Sequence, residues 1–216
     1  MSYLLRVQLP DRPGSLGALA VALGSVGADI LSLDVVERGS GFAVDDLVVD
    51  VEAGSLPDTL ITAAEKLPDV HVDSIRPYSG MLDTHRELEL IDHVATAHSN
   101  RLQVLVDGAS RVLRVGWSTV MEIGPHGAFR VVGSPGAPET HAGDAPWMPL
   151  KKATMLDGDA DWVPQVWREM DTTLAAAPIG NTGRVLLLGR PGGPEFRPSE
   201  VARLGYLAGI VATVLG

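Results

Sequence analysis

The chain has no cysteine. Disulfides, thiolate metal centres, thiol catalysis and thioether-linked chromophores are therefore excluded. Aromatic residues are only 5% of the 216 positions, so the core must be built mainly from aliphatic side chains. Clusters of Lys and Arg are missing, and the formal net charge is −10. That argues against a nucleic-acid surface and equally against binding to anionic lipid. No apolar run reaches the length needed to span a bilayer. The first residues enter a strand pattern with no basic-then-apolar signal region, so a cytoplasmic location is expected. The local signatures of catalysis are absent too: no Gly-x-Ser-x-Gly elbow, no Gly-Lys-Ser/Thr phosphate loop, no His-Glu-x-x-His and no Gly-x-Gly-x-x-Gly. The expectation is a protein that is not an enzyme and holds no cofactor and no metal.

What remains is an ordinary globular composition, with 45% hydrophobic and 20% charged residues. The length suits one large domain or two small ones. The 24 glycines and 15 prolines are spread along the chain, which indicates many turns. Acidity is uneven. Residues 1–80 carry 12 Asp and Glu against 5 Lys and Arg, and the rest carries 15 against 12. An acidic solvated surface accounts for this.

Tyr3, Leu5, Val7 and Leu9 alternate with Leu4, Arg6 and Gln8, which predicts a half-buried strand. Leu16, Leu19, Ala20, Leu23 and Gly27 fall on one face of a helix, with Gly24 and Gly27 near its end. Between them lies Pro10-Asp11-Arg12-Pro13-Gly14-Ser15-Leu16. Pro13 fixes its own φ and keeps Arg12 out of the helical region. Gly14 leaves room for an approaching group, and Ser15 is the expected N-cap. The stretch reads either as a plain strand-to-helix turn or as a helix N-terminus able to hold a small anion such as an α-carboxylate.

Asp29–Glu37 predicts a second strand, with Leu31, Leu33 and Val35 on one side. Gly39-Ser40-Gly41 makes a hairpin connection to a third strand, Phe42–Glu52. The apolar phase of that strand changes from Phe42 and Val44 to Leu47, Val49 and Val51, so a bulge is expected near Asp45-Asp46. The alternation sends those two acids to opposite faces, and a solvated edge is expected for them rather than metal or acid–base chemistry. Leu56, Leu60, Ala63, Ala64 and Leu67 mark a second helix, with Pro57 early and Pro68 just past its end. Val70–Arg76 is a fourth strand. The order is βαββαβ, a ferredoxin-like unit whose helices cover one face of the sheet and leave the other face, or an edge strand, for a partner chain.

Residues 3–79 resemble an ACT domain, the small-molecule regulatory module of many amino-acid-metabolic enzymes. The resemblance rests on the element order, on Asp11-Arg12-Pro13-Gly14-Ser15-Leu16 after the first strand, and on Gly27-Ala28-Asp29-Ile30 opening the second. It implies an effector pocket at Asp11, Arg12, Pro13, Gly14, Ser15, Leu16, Asp29 and Ile30, usually closed between two paired domains. There the helix-start N–H groups receive a ligand carboxylate. The residue at the start of the second strand, commonly Asn and here Asp29, meets the ligand amine.

Ser79-Gly80 reads as the domain boundary. Leu88, Ile91, Ala95, His98, Leu102 and Leu105 form a stripe spaced by three and four, too short for a convincing coiled coil, and residues 81–101 are expected to be a connecting helix. Glu89 and His93 share a helix face in a stretch that also holds His85 and His98, but no further ligands stand at useful spacing, so surface or capping roles are expected. Beyond lie a helix over Gln103–Leu113, a hairpin at Gly124–Gly127, a long Pro/Gly/Ala-rich loop at Ser134–Met148, and a short helix near Trp162 and Trp167. Strands follow at Thr173–Ala177 and Arg184–Gly189, and Ser199 caps a last helix with Val201, Leu204, Leu207 (or Ala208), Val211 and Leu215 on its buried side. Asp157-Gly158-Asp159-Ala160-Asp161 fails as a calcium loop, with Trp162 where Gly is needed and Arg168 where Glu is needed. The plan is α+β. Arg184–Arg190, then Gly193-Pro194-Glu195-Phe196, then a helix from Pro198, resemble the end of a GAF domain, and Gln103–Ile123 is similar to that family's first helix and strand. The resemblance implies a sensory fold of antiparallel sheet and flanking helices over residues 102–216.

The reading is a regulatory protein with an ACT domain at 1–80. It would bind an amino acid or related small carboxylate as a homodimer, couple that event to a GAF-like domain, and pass it to a protein partner. The other reading is a ligand-free dimerisation module that regulates a partner enzyme.

Overall fold

The structure is a computed structural model that describes residues 1–78, 86–139 and 145–216. The boundary expected at Ser79-Gly80, the start of the connecting helix with His85, and the middle of the Ser134–Met148 loop lie outside the described residues. The chain divides into two compact units, Met1–Leu82 and Asp83–Gly216.

The first unit runs β1 (Ser2–Pro10), α1 (Ser15–Gly24), β2 (Asp29–Gly39), β3 (Phe42–Asp50), α2 (Asp58–Glu65) and β4 (His71–Pro77). The sheet order is β2-β3-β1-β4, with every neighbouring pair antiparallel. Residues 40 and 41 join β2 to β3 with φ of 53° and 86°. Two positive φ values make the tight turn that matches strand twist, and Gly41 supplies one without strain. Tyr3, Leu5, Val7 and Leu9 of β1 and Leu47 and Val49 of β3 face the helices, where they pack with Leu19, Leu23, Leu60 and Ala64. Two positions expected on helix faces, Ala20 and Leu56, are exposed instead.

Three expectations for this unit change. The β1–β3 register is unbroken from Ser2↔Asp50 to Pro10↔Phe42, so β3 has no bulge. The irregularities lie in the edge strands: in β2 between Ile30 and Ser32 and between Val35 and Glu37, and in β4 between Val72 and Ser74. They sit at the sheet edge, where an extra residue disturbs only one ladder. Asp45 and Asp46 do point to opposite faces, but neither is solvated: β3 is an inner strand, and they are 1% and 3% exposed. The face away from the helices is not open either, since Leu4, Arg6, Val44, Asp46 and Val48 are all buried there. What stays unpaired among the described strands is the outer edge of β2 and that of β4.

The second unit runs α3 (Arg86–Thr96), α4 (Arg101–Val112), β5 (Trp117–Gly124), β6 (Gly127–Gly133), β7 (Thr154–Leu156), α5 (Gln165–Glu169), β8 (Thr173–Pro178), β9 (Arg184–Arg190) and α6 (Pro198–Leu215). Its antiparallel sheet has the order β6-β5-β9-β8-β7. The inner strands are apolar on both faces. Val120, Ala175, Ala177, Leu186 and Leu188 pack with the α3, α4 and α6 helices. Trp117, Leu174, Ala176, Val185 and Leu187 face the other way, against Val163 and Trp167. The buried stripe of α3 is Leu90 and Val94, while Leu88 is 68% exposed. The helix is thus rotated from the expected stripe, because it packs into its own unit rather than along a seam.

Arg190 is fully buried and ties this unit together. Its Nη1 donates to the Pro194 carbonyl at 3.1 Å and its Nη2 to Glu200 at 2.7 Å, and Phe196 lies under the guanidinium. A buried charge held from three sides in this way fixes the chain that leads into α6.

Candidate functional site

The loop after β1 is held by backbone bonds. The Asp11 N–H donates to the Gly41 carbonyl at 3.0 Å, the Arg12 N–H to the Pro10 carbonyl at 2.9 Å, and the Ser15 N–H to the Arg12 carbonyl at 3.2 Å. Gly14, not Ser15, occupies the N-cap position, with φ of 94°. No side chain caps the helix. Gly14 is required because a Cβ would be strained at that φ although no atom crowds it. Among the described residues, the Leu16 and Gly17 N–H groups of the first turn meet no acceptor. A ten-residue helix with an uncapped start directs partial positive charge into the space above the loop.

Asp11 through Leu16 therefore sit together at the end of the sheet where β1 finishes. Asp29 and Ile30 do not join them within one chain. Asp29 is opposite Asp50, which is opposite Ser2, so β2 starts at the other end of the sheet. The 11 residues of β2 separate the two groups by about 30 Å.

At the loop end, the structure brings in residues that the sequence reading passed over. Arg38 is level with Ala43 and Leu9 on the helix-facing side, and its guanidinium lies 3.6 Å from the Asp11 carboxylate. Asp45 is level with Val7 and Val35 on the same side, one residue pair inward. Both carboxylate oxygens of Asp45 are out of contact with solvent and accept no hydrogen bond. Its pKa is raised, first by burial, and further by the charges of Asp11 and Asp46, while Arg38 opposes the rise. The signal for Asp45 was in the sequence: keeping strict alternation through 43, 45, 47, 49 and 51 puts it among the core-facing residues. The assumed change of phase hid it.

Asp46, on the far face, is the opposite case. Arg6 Nε and Nη2 meet its two oxygens at 2.7 and 2.9 Å, a forked pair between buried partners.

The edge strand β2 carries exposed apolar side chains. Leu31, Leu33 and Val35 are 40%, 38% and 47% exposed, and Val21 of α1 is 75% exposed. Large aliphatic side chains on an unpaired strand edge are a template for another strand.

The second unit has its own cleft of about 590 Å³, lined by Ile123, Ala128, Met148, Asp161 and Trp162 among others. The two tryptophans of the α5 region divide their roles. Trp167 is buried, with its ring 4.9 Å from that of Trp117, whereas Trp162 lies against Trp147 and borders the cleft. The Asp157–Asp161 stretch is an acidic turn in which the Asp159 N–H donates to the Asp157 side chain at 3.0 Å. Among the described residues there is no group of three or more His, Asp or Glu able to hold a metal, and no helix long and apolar enough to cross a membrane.

Residues 3–69 match the family model of the ACT domain. No curated protein matches the chain. Among solved structures, the chain is similar to the crystal structure of an unknown protein from Galdieria sulphuraria, at 12% identity and a TM-score of 0.33, over 99% of this chain and 90% of that one. It is also similar to a formyltetrahydrofolate deformylase from Pseudomonas putida KT2440, at 10% identity and a TM-score of 0.30, over 43% of this chain and 37% of that one. At these scores neither structure speaks to the activity of this chain.

Proposed function

We propose that this chain is a non-catalytic regulatory protein whose ACT domain binds an amino acid or related small carboxylate between two copies. The observation that carries the reading is the uncapped start of α1 behind the Gly14 turn, within the stretch that matches the ACT model. The ligand carboxylate takes the Leu16 and Gly17 N–H groups, where the helix dipole favours negative charge.

The second copy follows from the separation of Asp29 from the loop. Two β2 edges paired antiparallel about an axis near Asp34 set the start of one strand beside the end of the other. The partner's Asp29 then stands near Gly39, beside Arg38 and Asp11, where it meets the ligand amine. The same pairing covers Leu31, Leu33 and Val35. The second unit is read as GAF-like, a reading supported by its five-stranded antiparallel order and its cleft. Ligand binding at the first unit is passed to it and on to a partner protein. Such coupling is reciprocal and on the order of 1–3 kcal/mol. The competing reading, a dimerisation module with no ligand, draws on the same exposed β2 edge.

A thermal-shift screen of the full chain against amino acids, nucleotides and cyclic nucleotides separates the two. A ligand at 100 times its Kd stabilises by about 2.7 kcal/mol, roughly 5–10 °C for a chain of this size. The shift is expected with an amino acid, and is lost in Gly14→Val. Leu33→Arg is expected to give a monomer by light scattering and to lose the shift with it. A dimer that responds to no compound leaves the ligand-free reading standing alone.

A further inference from the structure

We propose that Asp45 is the receptor for a second positive charge on the effector, so that the site selects an α-amino acid with a cationic side chain over a neutral one. The inference rests on the effector-site reading above and adds the ligand class to it.

Asp45 is anomalous for a core position. It is 1% exposed, and neither carboxylate oxygen has a hydrogen-bond partner. Burying a carboxylate without partners is costly, and buried charges are ordinarily paired. Its neighbour in sequence, Asp46, follows that rule through Arg6. Asp45 does not, although it sits in the same strand with the same burial.

Its position gives the vacancy a meaning. Asp45 is on the helix-facing side of β3, level with Val7, three residues before β1 ends at Pro10. The α1 helix, with its uncapped first turn, starts from the loop at that same end of the sheet. The residue level with Asp45 on β2 is Val35, 47% exposed in a single copy.

Charge accounting then fixes the class of ligand. Arg38 stands 3.6 Å from the Asp11 carboxylate, and although its charge also reaches Asp45 it gives Asp45 no hydrogen bond. What remains in one chain is an anion-seeking helix start and a cation-seeking buried carboxylate, and the partner's Asp29 supplies a second cation-seeking group. A carboxylate and two ammonium-type groups on one small molecule answer all three. A metal ion is the poorer answer, because among the described residues no group of three or more His, Asp or Glu could hold one, and hard cations ask for six or more oxygens.

Isothermal titration of the full chain with L-lysine and with L-norleucine, its analogue lacking the terminal amine, tests this. In the native protein, lysine is expected to bind roughly tenfold or more tighter than norleucine. In Asp45→Asn the ratio of the two affinities is expected to fall to about one. The native-protein comparison needs no variant, so it holds even if the substitution perturbs folding. Equal affinity for the two ligands, or a preference that survives in Asp45→Asn with unchanged circular dichroism, overturns the role of Asp45 and leaves the effector site intact. Binding of neither compound, nor of L-arginine or any other amino acid, overturns the effector-site reading and this inference with it.

Discussion

The two faces of the first sheet meet the same problem in opposite ways. On the far face, Asp46 is buried and its two oxygens are held by Arg6. On the helix face, one residue away, Asp45 is buried and bare. Pairing is the ordinary solution for a structural core charge, because one partner without the other costs more than the pair gains. An unpaired carboxyl of equal burial belongs where a chain must remain ready for something else. The contrast separates a carboxylate that holds the fold from one that the fold carries at a cost.

Removing one half of the satisfied pair should break the contrast most severely. Arg6→Leu leaves Asp46 buried without its guanidinium, and a loss of about 3–5 kcal/mol is expected in the urea unfolding of the first unit. The double variant Arg6→Leu/Asp46→Leu replaces both charges by aliphatic groups and should recover most of that loss. If the single and double variants are equally unstable, the pair is not what Asp46 depends on, and the two faces are not so different.

Most of the architecture was legible in the sequence. The alternation of Tyr3, Leu5, Val7 and Leu9 and the spacing of Leu19 and Leu23 are direct consequences of strand and helix periods, and tertiary packing agrees with them. So is the final helix, with Leu204, Leu207 and Val211 buried as spaced, although Arg197 and not Ser199 takes the N-cap position, two residues earlier. The short edge strand β7 was missed, because three residues carry no period. The stripe of α3 was misplaced because Leu88, Leu90, Ile91 and Val94 allow more than one helical face, and only packing against α4 and α6 selects Leu90 and Val94. The site was half legible. Proline and glycine chemistry marked the Gly14 turn, but the cap moved by one residue to the position that can adopt φ of 94°. Arg38 and Asp45 reach the loop only through register across β2, β3 and β1, which no local pattern records.

A smaller effect, of the opposite sign, is expected on the helix face. Burial raises the Asp45 pKa above its ordinary value of 3.8, with Asp11 and Asp46 adding to the rise and Arg38 opposing it. The folded chain therefore holds this proton to higher pH than the unfolded chain does. Below the ordinary value both states are protonated, and Asp45 costs nothing through its charge. As pH rises through the raised pKa, stability is lost, and the loss persists at neutral pH. Asp45→Asn removes the charge and keeps the shape, so its Tm at pH 7 should exceed that of the native protein. The advantage should shrink as pH falls below 3.8. An Asn variant that is less stable at pH 7 would mean that Asp45 has a stabilising cation in solution, and the contrast with Asp46 would close.

The smallest effect belongs to a carboxylate at the rim, which sharpens the comparison by removing burial from it. The Asp50 pKa is lowered, first by the Ser2 hydroxyl, which donates to it at 2.9 Å, and then by the terminal ammonium at 3.2 Å. Its contribution to stability has the ordinary acid sign: present above 3.8 and lost as pH falls through the folded value. Solvent screens both partners, so Ser2→Ala should scarcely move the unfolding midpoint at pH 7. It should still raise the Asp50 pKa toward the ordinary carboxylate range, which an NMR titration of the side-chain carboxyl carbon reads directly. Three carboxylates on one strand would then be graded by their surroundings alone, with Asp50 tuned by a half-buried hydroxyl, Asp46 fixed by a buried guanidinium, and Asp45 hydrogen-bonded to neither.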